Sequence, residues 1–164
     1  MITKILNVIT LSRILCAILI YLILYLGNSY SIALFLFFIA SFSDFLDGYL
    51  ARKTNSVSVL GEILDPIADK LLIVFVLIGL SINLDSFLIG FISAAIISRE
   101  IWVAALRDIN ARNNQSEKTR VTFLAKTKTA IQMLSILMYL FGLTINNMMI
   151  LFFADIILII ALLI

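Results

Sequence analysis

Histidine is missing from this chain of 164 residues, and cysteine, proline and tryptophan each occur once. Without histidine there is no Ser-His-Asp or Cys-His relay and no zinc site built on imidazole. The single cysteine, Cys16, sits in an apolar run; it excludes an internal disulfide and a cysteine metal site and reads as a small hydrophobe. Acid–base chemistry therefore falls to carboxylate, lysine or tyrosine. Charge is scarce too, at 13% of residues with a formal net charge of only +2, so no basic surface points to nucleic acid.

What abounds is apolar sequence. Hydrophobic residues make up 63% of the chain and the mean hydropathy is +1.16, values that belong to an integral membrane protein. A bilayer core of ~30 Å needs about 20 helical residues, and six stretches qualify: 8–26, 31–51, 62–82, 86–107, 123–143 and 147–164. The predicted fold is all-α, a polytopic membrane protein with six transmembrane helices forming a single domain over residues 1–164. Lys4 ahead of an apolar core resembles a signal peptide, but Arg13 within that core and the lack of a small-x-small cleavage site read as a retained first span. The connections Gly27-Asn28-Ser29-Tyr30, Asn83-Leu84-Asp85 and Thr144-Ile145-Asn146-Asn147 carry no lysine or arginine, and all twelve cations fall on the opposite side. By the positive-inside rule that side is cytoplasmic and holds both termini.

The acidic residues concentrate in Asp44 to Lys70, DFLDGYLARKTNSVSVLGEILDPIADK. A carboxylate well inside a bilayer costs at least ~2.5–3.5 kcal/mol. Four aspartates within 26 residues, with no matching density of cations, need a partner, and a divalent ion is the simplest. Asp44 and Asp47 are three apart and Asp65 and Asp69 four apart, so on helices each pair shares a face. Two such helices make an oxygen-only box suited to one or two Mg²⁺ or Mn²⁺ ions. Gly48 and Gly61 let a ligand approach the backbone, and Arg52 offers a fork that fits phosphate. Arg52-Lys53 should open a polar loop through Ser58, and Pro66 should lie in the first turns of a helix starting near Gly61, where a missing amide costs least. Lys70 reads as a snorkelling lysine or a counter-charge for the aspartates.

The pattern Asp44-x2-Asp47-Gly48-x2-Ala51-Arg52-x8-Gly61-x3-Asp65-x3-Asp69 resembles the signature of the CDP-alcohol phosphatidyltransferase family, with every fixed position filled. The resemblance implies that a hydroxyl attacks the β-phosphorus of a CDP-linked lipid and CMP leaves. It implies Asp44, Asp47 and Asp65 as metal ligands, and Asp69 as general base in contact with the metal, with two Mg²⁺ or Mn²⁺ ions. Gly48, Ala51, Arg52 and Gly61 would line the CDP pocket. Asn7-x2-Thr10-Leu11-x-Arg13 is similar to the family's stretch entering span one, which implies that Asn7 and Thr10 reach the nucleotide. The family also implies a homodimer and a chain that continues past span six, whereas this one reaches Ile164 inside an apolar run.

A second charged group begins with Arg99-Glu100, deep in an apolar run, and Arg107 two turns on, which shares the face of Arg99. Arg99-Glu100-Ile101-x-Val103-x2-Leu106-Arg107 with Lys126-x-Lys128-Thr129-x2-Gln132 resembles the phosphatidylglycerolphosphate synthase branch of the family, with Ala125 and Ala104-Ala105 as small-for-small departures. That branch implies CDP-diacylglycerol and sn-glycerol 3-phosphate as substrates and Arg99, Arg107, Lys126 and Lys128 as the acceptor's phosphate site. Cations suit a phosphate dianion, but inositol phosphate would fit the same charge, and phosphatidylglycerol, as in cardiolipin formation, is a further acceptor. A cation transporter is the alternative of a different class; the gathering of all four aspartates at one membrane edge speaks against it. Trp102 reads as packing or an interface anchor, Asp108 to Thr122 as a cytosolic loop, and Asp155 in span six has no assigned role.

Overall fold

The computed structural model describes the backbone of residues 2–27, 29–54, 59–113 and 123–163, and side chains over 8–27, 29–43, 64–106, 108–110, 112–113 and 127–163. Among these residues every regular element is helical: α1 (Ile2–Leu26), α2 (Tyr30–Thr54), α3 (Val59–Asn83), α4 (Phe87–Arg112), α5 (Phe123–Thr144) and α6 (Met148–Leu163). Helices satisfy their own backbone, as the hydrocarbon interior of a membrane demands. Val8–Leu26 and Phe87–Asn110 are long and apolar enough to cross a membrane, and Tyr30–Ser43 and Met148–Leu163 are shorter apolar stretches.

α1 to α5 extend beyond the predicted spans, while α6 lies within its own. α2 continues through Ala51–Thr54, where a loop was expected from Arg52. α4 continues past Asp108, the predicted start of a loop, to Arg112, and Arg112 Nη2 donates to Asp108 Oδ2 at 2.7 Å one turn back. The expected remainders of those loops, 55–58 and 114–122, lie outside the described residues. α3 starts at Val59, not near Gly61, so Pro66 falls in its third turn, beyond the first turns where it was expected. There the missing amide leaves the carbonyl one turn earlier without its usual partner, a cost of roughly 3 kcal/mol in an ordinary helix.

Three tight turns close one end of the bundle. Gly27 takes a left-handed φ of 67° after α1, as do Asp85 (47°) after α3 and Asn146 (52°) after α5. Their amides and neighbours reach back to the last turn, with Gly27 N donating to Ile23 O at 3.0 Å and Asn147 N to Gly142 O at 2.9 Å. Asn147 Oδ1 then caps α6 by accepting from Met149 N at 3.0 Å.

α1 packs most extensively on α3 and α5 on α6, while α2 lies against α1 and α5, and α4 against α3 and α6. The buried stripes are rich in small residues: Ala17 on α1, Ala33 and Ala40 on α2, Ala68 on α3, Ala154 and Ala161 on α6. The large side chains Leu15, Leu22, Phe35, Phe38, Phe91 and Phe152 point outward. Large side chains also fill much of the core, among them Ile20, Leu24, Phe37, Leu72 and Leu140, while the alanines let backbones come close, as in helices that associate in lipid. Gly79 lets α3 come close to α1: a Cβ there would meet Leu24 Cβ at 3.3 Å and the Tyr21 backbone at 3.5 Å. Trp102 is exposed on α4, in keeping with an interface anchor and not with a place in the core.

Candidate functional site

On α1, α3 and α5 the buried stripe runs down to the end opposite the turns, and there the apolar residues give way to charge. On α1 the stripe reads Leu24, Ile20, Ala17, then Arg13 and Thr10, all buried. On α3, Leu80, Val76 and Leu72 lead to Asp69 and Asp65, and on α5 Tyr139, Ser135 and Gln132 lead to Lys128. Helical spacing thus aims these polar groups into the bundle.

Arg13 is the centre of the arrangement. Its side chain is 1% exposed; Nη1 donates to Asp69 Oδ1 at 2.6 Å and Nη2 lies 3.4 Å from Asp65 Oδ1. Thr10 Oγ1 donates to the same Asp65 oxygen at 2.7 Å. Asp65 and Asp69 therefore do share a face, and the compensating cation that seemed lacking is an arginine from α1. Near the far end Asn83 Nδ2 donates to Leu24 O at 2.8 Å, so α1 and α3 run parallel, pinned at both ends. α2 returns from the Gly27 turn, and its helical backbone carries Asp44 and Asp47 back toward this end.

The hard oxygens of Asp65 and Asp69 fit Mg²⁺ or Mn²⁺, and the hydrogen bonds from Thr10 and Arg13 are the kind of support that orients carboxylate ligands. Among the described residues no group of three His, Cys, Asp or Glu comes together; the side chains of Asp44 and Asp47 lie outside them, as do those of Asn7, Ala51, Arg52, Arg107 and Lys126 and the surroundings of Gly48 and Gly61.

A second polar cluster joins α3, α4 and α5. Glu100 Oε1 accepts a hydrogen bond from Lys128 Nζ, and Glu100 Oε2 lies 3.4 Å from Lys70 Nζ. Among the described residues Lys70 thus pairs with Glu100 and not with Asp65 or Asp69. Arg99 turns the other way, its Nη1 donating to Leu162 O at 2.9 Å, where a cation meets the carbonyl end of α6. Arg99 Nε and Nη2 and the Nε2 of buried Gln132 have no hydrogen-bond partner among the described residues. Buried donors of this kind are rare and mark a place where an acceptor belongs. Asp155, midway along α6, takes a hydrogen bond from Tyr139 of α5, and beside it Ser135 Oγ donates to Ala154 O at 2.9 Å.

Arg13, Glu100 and Gln132 stand in the quoted motifs and Lys70 reads as a snorkelling lysine or counter-charge, but the sequence alone assigns none of them a role in the site. Their signal was register: each lies three or four residues from another buried position of its own helix, so a charge there faces inward.

Residues 4–164 match the CDP-alcohol phosphatidyltransferase family. A CDP-diacylglycerol–glycerol-3-phosphate 3-phosphatidyltransferase from Blochmanniella floridana is 40% identical over 102 residues, 62% of this chain and 54% of the relative. Proteins with that name from Rickettsia felis (39% over 140 residues, 83% of this chain and 74% of the relative) and Escherichia coli (31% over 132 residues, 79% and 72%) are similar over longer stretches. In the Blochmanniella comparison the chain spans about half the length of its relative. With the match running over nearly all of its length, the chain belongs to the CDP-alcohol phosphatidyltransferase family.

Proposed function

We propose that this chain transfers the phosphatidyl group of CDP-diacylglycerol to sn-glycerol 3-phosphate, giving phosphatidylglycerol phosphate and CMP. The observation that carries this reading is the side-by-side setting of two clusters at one end of the bundle. Carboxylates Asp65 and Asp69 are held by Arg13 and Thr10, and the next residue, Lys70, meets Lys128 at the Glu100 carboxylate. The relatives named above carry the same activity in their names.

In this reading Asp44, Asp47, Asp65 and Asp69 hold divalent metal, Mg²⁺ or Mn²⁺, whose charge offsets that of the pyrophosphate and of departing CMP. Asn7, Thr10, Gly48, Ala51, Arg52 and Gly61 line the CDP pocket, with Thr10 serving it from the aspartate side. Arg99, Arg107, Lys126 and Lys128 receive the acceptor's phosphate. Asp69 takes the proton of the acceptor hydroxyl as its oxygen bonds to the β-phosphorus and the bond to the CMP oxygen breaks. Arg13 keeps Asp69 from rotating away, because one guanidinium braces two carboxylates a helical turn apart.

The bundle crosses the cell membrane six times as a single domain over 1–164, with both termini and the site cytoplasmic and a second copy as partner. Supporting this are the apolar exterior and the separation of the turns, which carry no lysine or arginine, from the charged end. The test is CMP release by purified protein in detergent, with CDP-diacylglycerol and a panel of glycerol 3-phosphate, inositol phosphate and phosphatidylglycerol, with and without Mg²⁺ or Mn²⁺. Metal-dependent release with glycerol 3-phosphate is expected; preference for another acceptor would overturn the assignment.

A further inference from the structure

The Glu100 carboxylate has no part in the transfer chemistry, yet three helices meet in charge upon it. Lys128 of α5 donates to one oxygen, and Lys70 of α3 lies 3.4 Å from the other. Two ammoniums drawn to one carboxylate stand closer together than their repulsion would otherwise allow. Lys70 directly follows Asp69, so the same carboxylate fixes how far the cations of α5 stand from the aspartate face of α3. Two lysines against one carboxylate leave a net positive charge, which attracts a phosphate monoester dianion and not a neutral alcohol.

We propose that Glu100 is a positioning residue: it gathers Lys70 and Lys128 into one site for the acceptor's phosphate dianion, and Lys70 thereby belongs to the acceptor site. This deepens the transferase reading and rests on it. The carboxylate has two opposed effects. It lowers the local positive potential, which weakens attraction for an anion, and it holds two lysines in place, which strengthens binding. Lys128 is mostly buried and Glu100 is its counter-charge, so losing the carboxylate leaves an uncompensated buried cation that turns away from its position. Placement therefore outweighs the gain in potential.

The experiment compares full-length wild type with Glu100→Gln, Glu100→Asp and Lys70→Met, measuring CMP release against both substrates. Glu100→Gln and Lys70→Met should raise KM for glycerol 3-phosphate by at least about tenfold while leaving KM for CDP-diacylglycerol within about twofold, as expected for the loss of one charge-assisted contact. Glu100→Asp should recover most of the loss. As an independent readout, glycerol 3-phosphate should raise the thermal unfolding midpoint of wild type, glycerol should not, and both variants should lose the rise. Lys70 is partly exposed, so Lys70→Met keeps the test open should Glu100→Gln fail to fold. Tighter acceptor binding in Glu100→Gln would show that potential outweighs placement and overturn the proposal, as would equal losses against both substrates. A wild type that turns over glycerol 3-phosphate with variants unchanged would refute the positioning role alone. A wild type inactive with every phosphorylated acceptor would remove the transferase reading, and this inference with it.

Discussion

Replacing Arg13 by methionine keeps most of the side chain's volume and removes only its charge and donors, which makes it the sharpest probe of how α1 is joined to α3. Arg13 is 1% exposed and binds two carboxylates, at 2.6 Å and 3.4 Å. Removing one member of a buried ion pair costs about 3–5 kcal/mol because the survivor is left uncompensated. Here the survivors are Asp65 and Asp69, with side chains 46% and 25% exposed. Partial solvation screens them and brings the expected loss to about 2–3 kcal/mol. For a chain of this size that corresponds to a fall of roughly 4–12 °C in the unfolding midpoint, measurable by thermal denaturation in detergent. Arg13→Lys should recover less than half, since one ammonium cannot reproduce a fork shared between two carboxylates. A midpoint within about 1 °C of wild type for Arg13→Met, on the same scale, or full recovery by Arg13→Lys, would refute the clasp as a joint between the helices.

Asp69→Asn should lower CMP release by about 10²–10⁴-fold through loss of the base, with a smaller fall in unfolding midpoint than Arg13→Met because Asp65 keeps its pairing with Arg13. Chelation of divalent ions should abolish CMP release, and added Mg²⁺ or Mn²⁺ should restore it. Gly79→Val should force α1 from α3, since the added Cβ would already meet Leu24 at 3.1 Å and 3.3 Å; overpacking of this kind costs about 1–3 kcal/mol, read as a lowered midpoint. Tyr139→Phe should cost about 0.6–2 kcal/mol by leaving Asp155 unpaired within the bundle, and Asp155→Leu added to it should recover the loss.

Helix placement was legible because apolar runs and their polar joints are set by bilayer thickness, and the three turns fell at the connections without lysine or arginine. Helix ends were less legible. Hydropathy marks where lipid begins, not where hydrogen bonding stops, so α2 and α4 run on through Arg52 and Asp108 and α3 begins early enough to place Pro66 inside it. The shared face of Asp65 and Asp69 followed from a spacing of four. Its partner did not, because Arg13 lies more than fifty residues away and nothing local tells a paired arginine from a snorkelling one. Lys70 failed for the same reason: its neighbour in sequence is Asp69, but its partner in space is Glu100.

These failures share a physical origin. In a soluble domain apolar burial says which faces meet, but here apolar side chains cover the outside as well, so hydrophobicity does not choose among packings. What chooses is the sparse set of polar groups with small residues between them. Arg13 with Asp65 and Asp69, and Asn83 with Leu24 O, join α1 to α3. Glu100 joins α4 to α3 and α5, Arg99 joins α4 to the end of α6, and Tyr139 and Ser135 join α5 to α6. A single interhelical hydrogen bond is worth only about 0.6–2 kcal/mol between helices in lipid, yet a wrong packing would leave several charges unmatched at once. The residues that specify the fold and those that surround the proposed chemistry are therefore largely the same, and a substitution such as Arg13→Met should alter stability and turnover together, whereas Tyr139→Phe, remote from the charged end, should alter stability alone.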